Sequence, residues 1–333
     1  MRLALLCVIA SICSAQLPAQ TSVTGPVEAL TFDSPTRSVR AVIGVPHSAL
    51  FGPALLDNLD LASIAPGQTY GIVFEGGQCL FVSGLGSKKV SSAAISGANS
   101  HPDGVVWSGN GSLAILYSSS SGWFQSITGF PNAPVAGTAV EVTLGGAFAA
   151  VASDTGGQQI AVAVSGDNGG VYQFANGQFT RLASMAKPVS LSFSNDGQTL
   201  YALDAATLEV TAVSLGGHGF QTLELPGMAN PIAIQSLEDS ESRQVLYVAG
   251  GSDRLLRIVD VASQQILADV ALNFQPTGIA PFGSSSFVLA NRSQSANPLW
   301  LFASTPTPAS YFVPAVQSRQ ADHRTASLAG RAR

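Results

Sequence analysis

The chain has 333 residues, a formal net charge of −5, and 11% charged against 46% hydrophobic residues. This composition excludes a disordered chain, which is charged and poor in aliphatics. The acidic balance argues against nonspecific binding to nucleic acid or anionic lipid. Low charge with plentiful Gly and Ser instead predicts β structure with many tight turns.

Met1-Arg2, the apolar run 3–10 and the small residues Ser11-Ile12-Cys13-Ser14-Ala15 read as a secretory signal. Cleavage is placed after Ala15, with Ala19 the second choice, so the protein is expected to be exported, periplasmic or extracellular. The run is too short to span a bilayer, which takes ~20 residues, and no later segment is long and apolar enough. Cys7 and Cys13 would leave with the signal. Cys79, alone in Gln78-Cys79-Leu80-Phe81-Val82, then reads as a small buried hydrophobe.

From residue 26 onward short apolar strands recur. Pro26 to Phe32 precedes Val39-Arg40-Ala41-Val42-Ile43, and Thr69 to Phe74 precedes Cys79-Leu80-Phe81-Val82. Between them, 48–64 carries Phe51, Leu55, Leu56, Leu59 and Leu61 at helix-compatible spacing, as an insertion or as two irregular outer strands. Asp103-Gly104-Val105-Val106-Trp107 and Gly146 to Val151 open further units. The clearest unit is Pro188-Val189-Ser190-Leu191-Ser192-Phe193, the turn Asn195-Asp196-Gly197-Gln198, Thr199 to Asp204, Leu208 to Val213 and Phe220 to Leu225. Four strands with an Asp-Gly turn make one antiparallel meander. Pro231 and Pro276 open two more units.

Starts at Val27, Thr69, Gly104, Gly146, Pro188, Pro231 and Pro276 give spacings of 42, 35, 42, 42, 43 and 45 residues. Propeller blades recur at roughly 40–45 residues. The expectation is an all-β, seven-bladed β-propeller of four-stranded antiparallel blades over 26–315, six or eight blades being the alternatives. A short blade falls between Thr69 and Asp103. Tyr311-Phe312-Val313 would add a last outer strand, and 316–333 is predicted to be a disordered tail.

The stretch 188–204, with Pro188, an apolar strand, the Asp196-Gly197 turn and Leu200-Tyr201-Ala202, resembles the YVTN-type, lactonase-like propeller repeat. Arg243-Gln244-Val245-Leu246-Tyr247-Val248-Ala249-Gly250 is similar to it. The match is good over two units and degenerate over five. The Trp-Asp signature of WD-type repeats is absent.

Chemical motifs are sparse. No His-Glu-x-x-His occurs among His47, His101, His218 and His323, no Gly-x-Ser-x-Gly elbow is present, and no Gly-Lys-Ser/Thr phosphate loop follows Gly145-Gly146 or Gly250-Gly251. Asp167-Asn168-Gly169-Gly170 lacks the spacing of a calcium loop. Neither a metal nor another cofactor is expected. If the units form a ring, one rim collects the segments leading into each blade and the loops between second and third strands. That rim would gather His101, Asp103, Asp167, Asp204, Asp253, Arg254 and Arg292, with Lys88 and Lys89. A concave mouth with convergent polar groups is the default binding site. The expected function is a secreted, monomeric, noncatalytic propeller binding a protein, peptide or glycan there. The alternative, implied by the resemblance, is hydrolysis of a small sugar lactone with His101 and channel-facing Asp residues.

Overall fold

The computed structural model describes residues 25–316 other than 88, 218, 240, 241, 284, 285 and 306. The predicted signal, Lys88, His218 and the tail from 317 onward lie outside the described residues.

The chain forms seven antiparallel sheets, each a meander of consecutive strands. The first is Val27–Asp33, Ser38–Val45 and Ser48–Leu56; the second is Leu61–Ile64, Tyr70–Glu75, Gln78–Ser83 and Ser91–Ala94. The third is Gly104–Trp107, Leu113–Ser118, Trp123–Thr128 and an outer strand broken into Val135–Ala136 and Val140–Glu141. The remaining four have four strands each and begin at Ala147–Ser153, Pro188–Phe193, Pro231–Glu238 and Ala280–Phe282. The predicted last strand is present as Ala309–Val313. The fold is an all-β, seven-bladed β-propeller.

Core packing closes the ring. Seven hydrophobic clusters each lie between two successive blades. Phe124 meets Val162 between the third and fourth blades, and Leu203 meets Leu246 between the fifth and sixth. Ala29 and Val42 of the first blade share a cluster with Leu299 and Tyr311 of the seventh. Each sheet is thus buried on both faces. This is why charge is scarce in the sequence and why small residues such as Ala161, Ala163 and Ala202 recur where sheets approach closely.

The first two unit boundaries differ from those predicted. The region 48–64 is not helical: it contains the last strand of the first blade and Leu61–Ile64, the innermost strand of the second. Thr69 therefore precedes a second strand, Tyr70–Glu75. Val27–Asp33 also holds a second-strand place. The turn after Asp33 matches that after Asp204. Arg37 and Leu208 adopt φ of 50° and 61°. Leu59 N–H bonds the Arg37 carbonyl as Leu225 N–H bonds that of Leu208. The short spacing of 35 residues arises because the reading steps from a second strand at Thr69 to a first strand at Gly104. No blade is compressed.

Cys79 is buried, as expected, and burial pushes its thiol up to about 12. Burial also pushes the Tyr201 phenol up to about 12. Both groups hold their protons more tightly in the folded than in the unfolded chain, where they titrate near ~8.5 and ~10. Their contribution to stability is therefore full below about pH 8.5 and is lost as pH rises toward 12. Thermal melts from pH 7 to 10.5 should show a progressive fall in Tm. Native-state alkylation of Cys79 at pH 8.5 should be slow and follow unfolding; labelling at the rate of a free thiol would contradict the burial.

Candidate functional site

The innermost strands surround a central channel. Its main cavity, about 620 Å³, is lined by the inner strands of blades two to seven. A second cavity of about 350 Å³ lies against the first blade and shares Ser63, Ile64, Gln68 and residues 277–281 with the main one. Among the described residues lining both, none is Asp, Glu, His, Lys or Arg.

The channel wall is built from period-2 strands whose inner edges pair with no further strand among the described residues. Side chains of neighbouring blades take up the exposed N–H groups. Ser190 Oγ accepts from Ile234 N–H at 3.1 Å, and Ser192 Oγ accepts from Ser236 N–H at 2.9 Å. Trp107 donates its indole N–H to Ser63 Oγ at 3.0 Å and packs edge-on against Phe130. Trp107 thus serves interblade packing while also facing the channel. Tyr117 lies across the inner strand at Gly104, where a Cβ would come within 2.6 Å of the Tyr117 hydroxyl. Burial, and then the charge of Asp103, raise the Tyr117 pKa. At the opposite mouth the inner turns contribute Gln68, Thr155 and Asn195.

Of the predicted rim residues, His101, Asp103, Asp167, Asp253, Arg254 and Arg292 lie in loops and Asp204 ends a strand, but they do not form one constellation. No hydrogen bond or ion pair joins any two of His101, Asp103, Asp167, Asp204, Asp253, Arg254 and Arg292. Asp103 adjoins the channel lining, since its N–H bonds the carbonyl of the lining residue Tyr117 at 2.8 Å. Its carboxylate accepts from the Ser120 N–H and the hydroxyls of Ser118, Ser119 and Ser120, and these bonds, the Ser120 N–H first, lower its pKa. His101 is exposed, with Nδ1 2.7 Å from Ser100 Oγ. Asp167, Arg254 and Lys89 are exposed. Asp253 accepts the N–H groups of Ala229 and Asn230 at 2.9 and 3.0 Å.

Asp204 and Arg292 are buried instead of presented to solvent. Asp204 accepts N–H bonds from Ala186, Lys187 and Ala206 at 2.8, 3.1 and 2.8 Å, tying its strand end to the segment leading into the same blade. Asp204→Ala should cost about 2–3 kcal/mol, because three donors lose their acceptor. Urea unfolding measures this; a loss below ~0.5 kcal/mol would mean that water replaces the carboxylate. Arg292 lies at the seam between the seventh and first blades. Its Nη1 donates to Asp33 Oδ2 at 2.9 Å and its Nε to the Asn297 carbonyl at 2.8 Å, and its guanidinium sits 5.5 Å from the Phe51 ring centre.

The channel-lining residues were not singled out from the sequence. Their signal is positional: alternate residues of each first strand, identifiable once the strand order is known.

No protein-family model and no curated protein sequence matches the chain. Among solved structures, it superposes on the dihydro-heme d1 dehydrogenase NirN in complex with DHE with a TM-score of 0.55 and 14% identity, over 90% of this chain and 66% of that one. It thus spans just under two thirds of that protein's length. A chain of a nidogen/laminin complex gives 0.49 and 14% over 74% of this chain and 95% of that one. A catalytically inactive virginiamycin B lyase from Staphylococcus aureus with quinupristin gives 0.47 and 12% over 76% and 83%. At such identities shared architecture does not carry an activity across. What the chain shares with NirN is the β-propeller fold.

Proposed function

We propose that this protein is an exported propeller of the YVTN-type class that binds an uncharged ligand, a neutral glycan or peptide segment, at the mouth of its central channel. One observation carries the reading: the described channel lining offers aromatic rings, hydroxyls and carboxamides, with no carboxylate, imidazole, ammonium or guanidinium. Gln68, Thr155 and Asn195 supply donors and acceptors at the mouth formed by the inner turns, and Trp107 and Tyr117 supply flat apolar faces beside polar tips along the channel leading from it. Such surfaces orient a neutral polar ligand. Hydrolysis of a lactone needs a positioned acid or base within ~3 Å of the reacting group, directly or through one water. The one ionisable side chain among the described lining residues is the Tyr117 phenol, and the neighbouring Asp103 is committed to its serine turn. The N-terminal signal pattern supports export, and no helix of the described residues is long and apolar enough to cross a membrane.

The test is a titration of the purified protein with neutral oligosaccharides and uncharged peptides, followed by tryptophan emission and calorimetry. A saturable signal that disappears in Trp107→Phe supports the reading. Turnover of sugar lactones at enzyme-like rates, or binding confined to charged ligands, would overturn it.

A further inference from the structure

The chain holds three Asn-Gly pairs, Asn110-Gly111, Asn168-Gly169 and Asn176-Gly177. Such a pair is open to a self-reaction in which the glycine nitrogen attacks the preceding carboxamide carbon, since glycine puts no side chain in the way. Three things oppose it in a folded chain. They are an acceptor that holds the glycine N–H, partners that hold the asparagine, and neighbours that stop the backbone from turning. The structure separates the three pairs on each count.

Gly111 N–H donates to the Ser108 carbonyl at 2.9 Å, and Gly169 N–H to the Gly166 carbonyl at 2.7 Å. Both glycines are buried. A Cβ on Gly111 would come within 2.5 Å of the Tyr70 hydroxyl, and one on Gly169 within 2.2 Å of the Met185 carbonyl. The Asn110 carboxamide is held as well: its Oδ1 accepts from the Ser108 hydroxyl and from Ser112 N–H, each at 2.9 Å. The Asn168 main chain is pinned by Tyr172, whose hydroxyl donates to its carbonyl at 2.8 Å.

Asn176-Gly177 differs throughout. It joins the strands Gly170–Ala175 and Gln178–Ser184 as a two-residue hairpin, with Ala175 paired to Gln178. φ is 52° at Asn176 and 76° at Gly177, the pattern of a type I′ turn. Residues 175–178 are all exposed, and nothing lies within 4 Å of the place a Gly177 Cβ would take. Among the described residues, neither the Gly177 N–H nor the Asn176 carboxamide has a hydrogen-bond partner.

We propose that Asn176 is a site of spontaneous modification in the folded protein, converting through a cyclic imide to a mixture of aspartyl and isoaspartyl residues. The Gly177 amide gives its proton to solvent base, and its nitrogen forms a bond to Asn176 Cγ. The Cγ–Nδ2 bond breaks, and Nδ2 leaves as ammonia with a proton from solvent. Water then opens the five-membered ring. Breaking the bond from the ring nitrogen to Cγ restores the ordinary backbone with an aspartyl side chain. Breaking the bond from that nitrogen to the Asn176 carbonyl carbon routes the backbone through Cβ and Cγ as isoaspartyl. One water is consumed and one ammonia released, with no change of oxidation state. Each event adds one negative charge at neutral pH. The isoaspartyl product also adds a methylene to the backbone beside Phe174 and Phe179, which pair across this hairpin with ring centres 5.0 Å apart. The hairpin is not part of the channel lining, and its reaction is independent of what the channel binds.

The test incubates the full, folded protein at mildly alkaline pH in water enriched in heavy oxygen. Acidic proteolysis and peptide mapping by mass spectrometry follow. Asn176 should gain one heavy oxygen, in both aspartyl and isoaspartyl forms, at least about tenfold faster than Asn110 or Asn168, which must each first give up a hydrogen bond in a packed turn. In urea, where the turns are lost, the three sites should react at comparable rates. Conversion of Asn110 or Asn168 as fast as Asn176 in the folded protein would overturn the proposal. So would an Asn176 that stays intact in the folded protein over a time in which it converts in urea. An aspartyl product with no isoaspartyl counterpart would also overturn it, by excluding the imide.

Discussion

Arg292→Ala should lower the stability of the propeller by about 3–5 kcal/mol, because it leaves a buried carboxylate without its cation. Both side chains of the Arg292–Asp33 pair are fully buried. Arg292 also donates to the carbonyls of Ser295 and Asn297, so its removal frees two acceptors of the connecting loop as well. The remaining partners of Asp33 are the Thr36 hydroxyl at 2.5 Å and Arg40, whose Nε is 3.6 Å away. The pair joins residues 259 apart in sequence, across the one interface where the first described blade meets the last. Its loss should therefore open the seam. Guanidinium or thermal unfolding of the purified variant measures the cost, and Arg292→Lys, which keeps the charge but loses the planar fork, should fall between. A loss below ~1 kcal/mol would show that Arg40 moves in to replace it.

Phe124→Ala should cost a similar amount, about 3–5 kcal/mol, by a different mechanism. Phe124 is 1% exposed and fills the space between the third and fourth blades. The Phe174 ring meets it edge-on with centroids 5.1 Å apart, and Phe179 stands at 6.4 Å. Truncation removes both ring contacts and leaves a cavity between two sheets that are each held by a further blade behind them, so the gap cannot close freely. Phe124→Leu, which keeps most of the volume, should cost less than half as much. Denaturant midpoints for the two variants check the order; equal losses would mean the ring geometry contributes little and the interface repacks.

The propeller could be read from the sequence because several blades obey local rules. The fifth shows them most clearly: Pro188 starts a strand, Asp196-Gly197 turns it, and Leu200 to Asp204 returns. The first two boundaries could not be read the same way. Gly52 and Pro53 interrupt the strand Ser48–Leu56, and its pairing with Ser38–Val45 shifts register twice. Its apolar residues then lose the period of two and mimic helical spacing through Leu55, Leu56 and Leu59. The four residues Leu61–Ile64 are too short to announce a strand without their partner Tyr70–Glu75. For the rim, loop position was legible but side-chain fate was not. Asp204, Asp253 and Arg292 read as free polar groups until the backbone donors and the Asp33 carboxylate that occupy them are seen. Apart from Ala206, two residues from Asp204, these partners lie 17 to 259 residues away and are set by blade geometry. The channel wall was least legible, since its residues look like any half-buried strand.

The uncharged wall of the channel has a kinetic consequence. Clefts lined with one sign of charge gather field lines and draw oppositely charged ligands in faster than diffusion with orientation alone would allow. Among the described residues the channel lining offers no such lens. The neutral ligand proposed above would arrive unaided, at roughly 10⁵–10⁶ M⁻¹s⁻¹ for a macromolecule, and raising the salt concentration should leave that rate unchanged. Selectivity would then reside in residence time, in how slowly a well-fitted neutral ligand leaves, and would persist across media of widely different ionic strength.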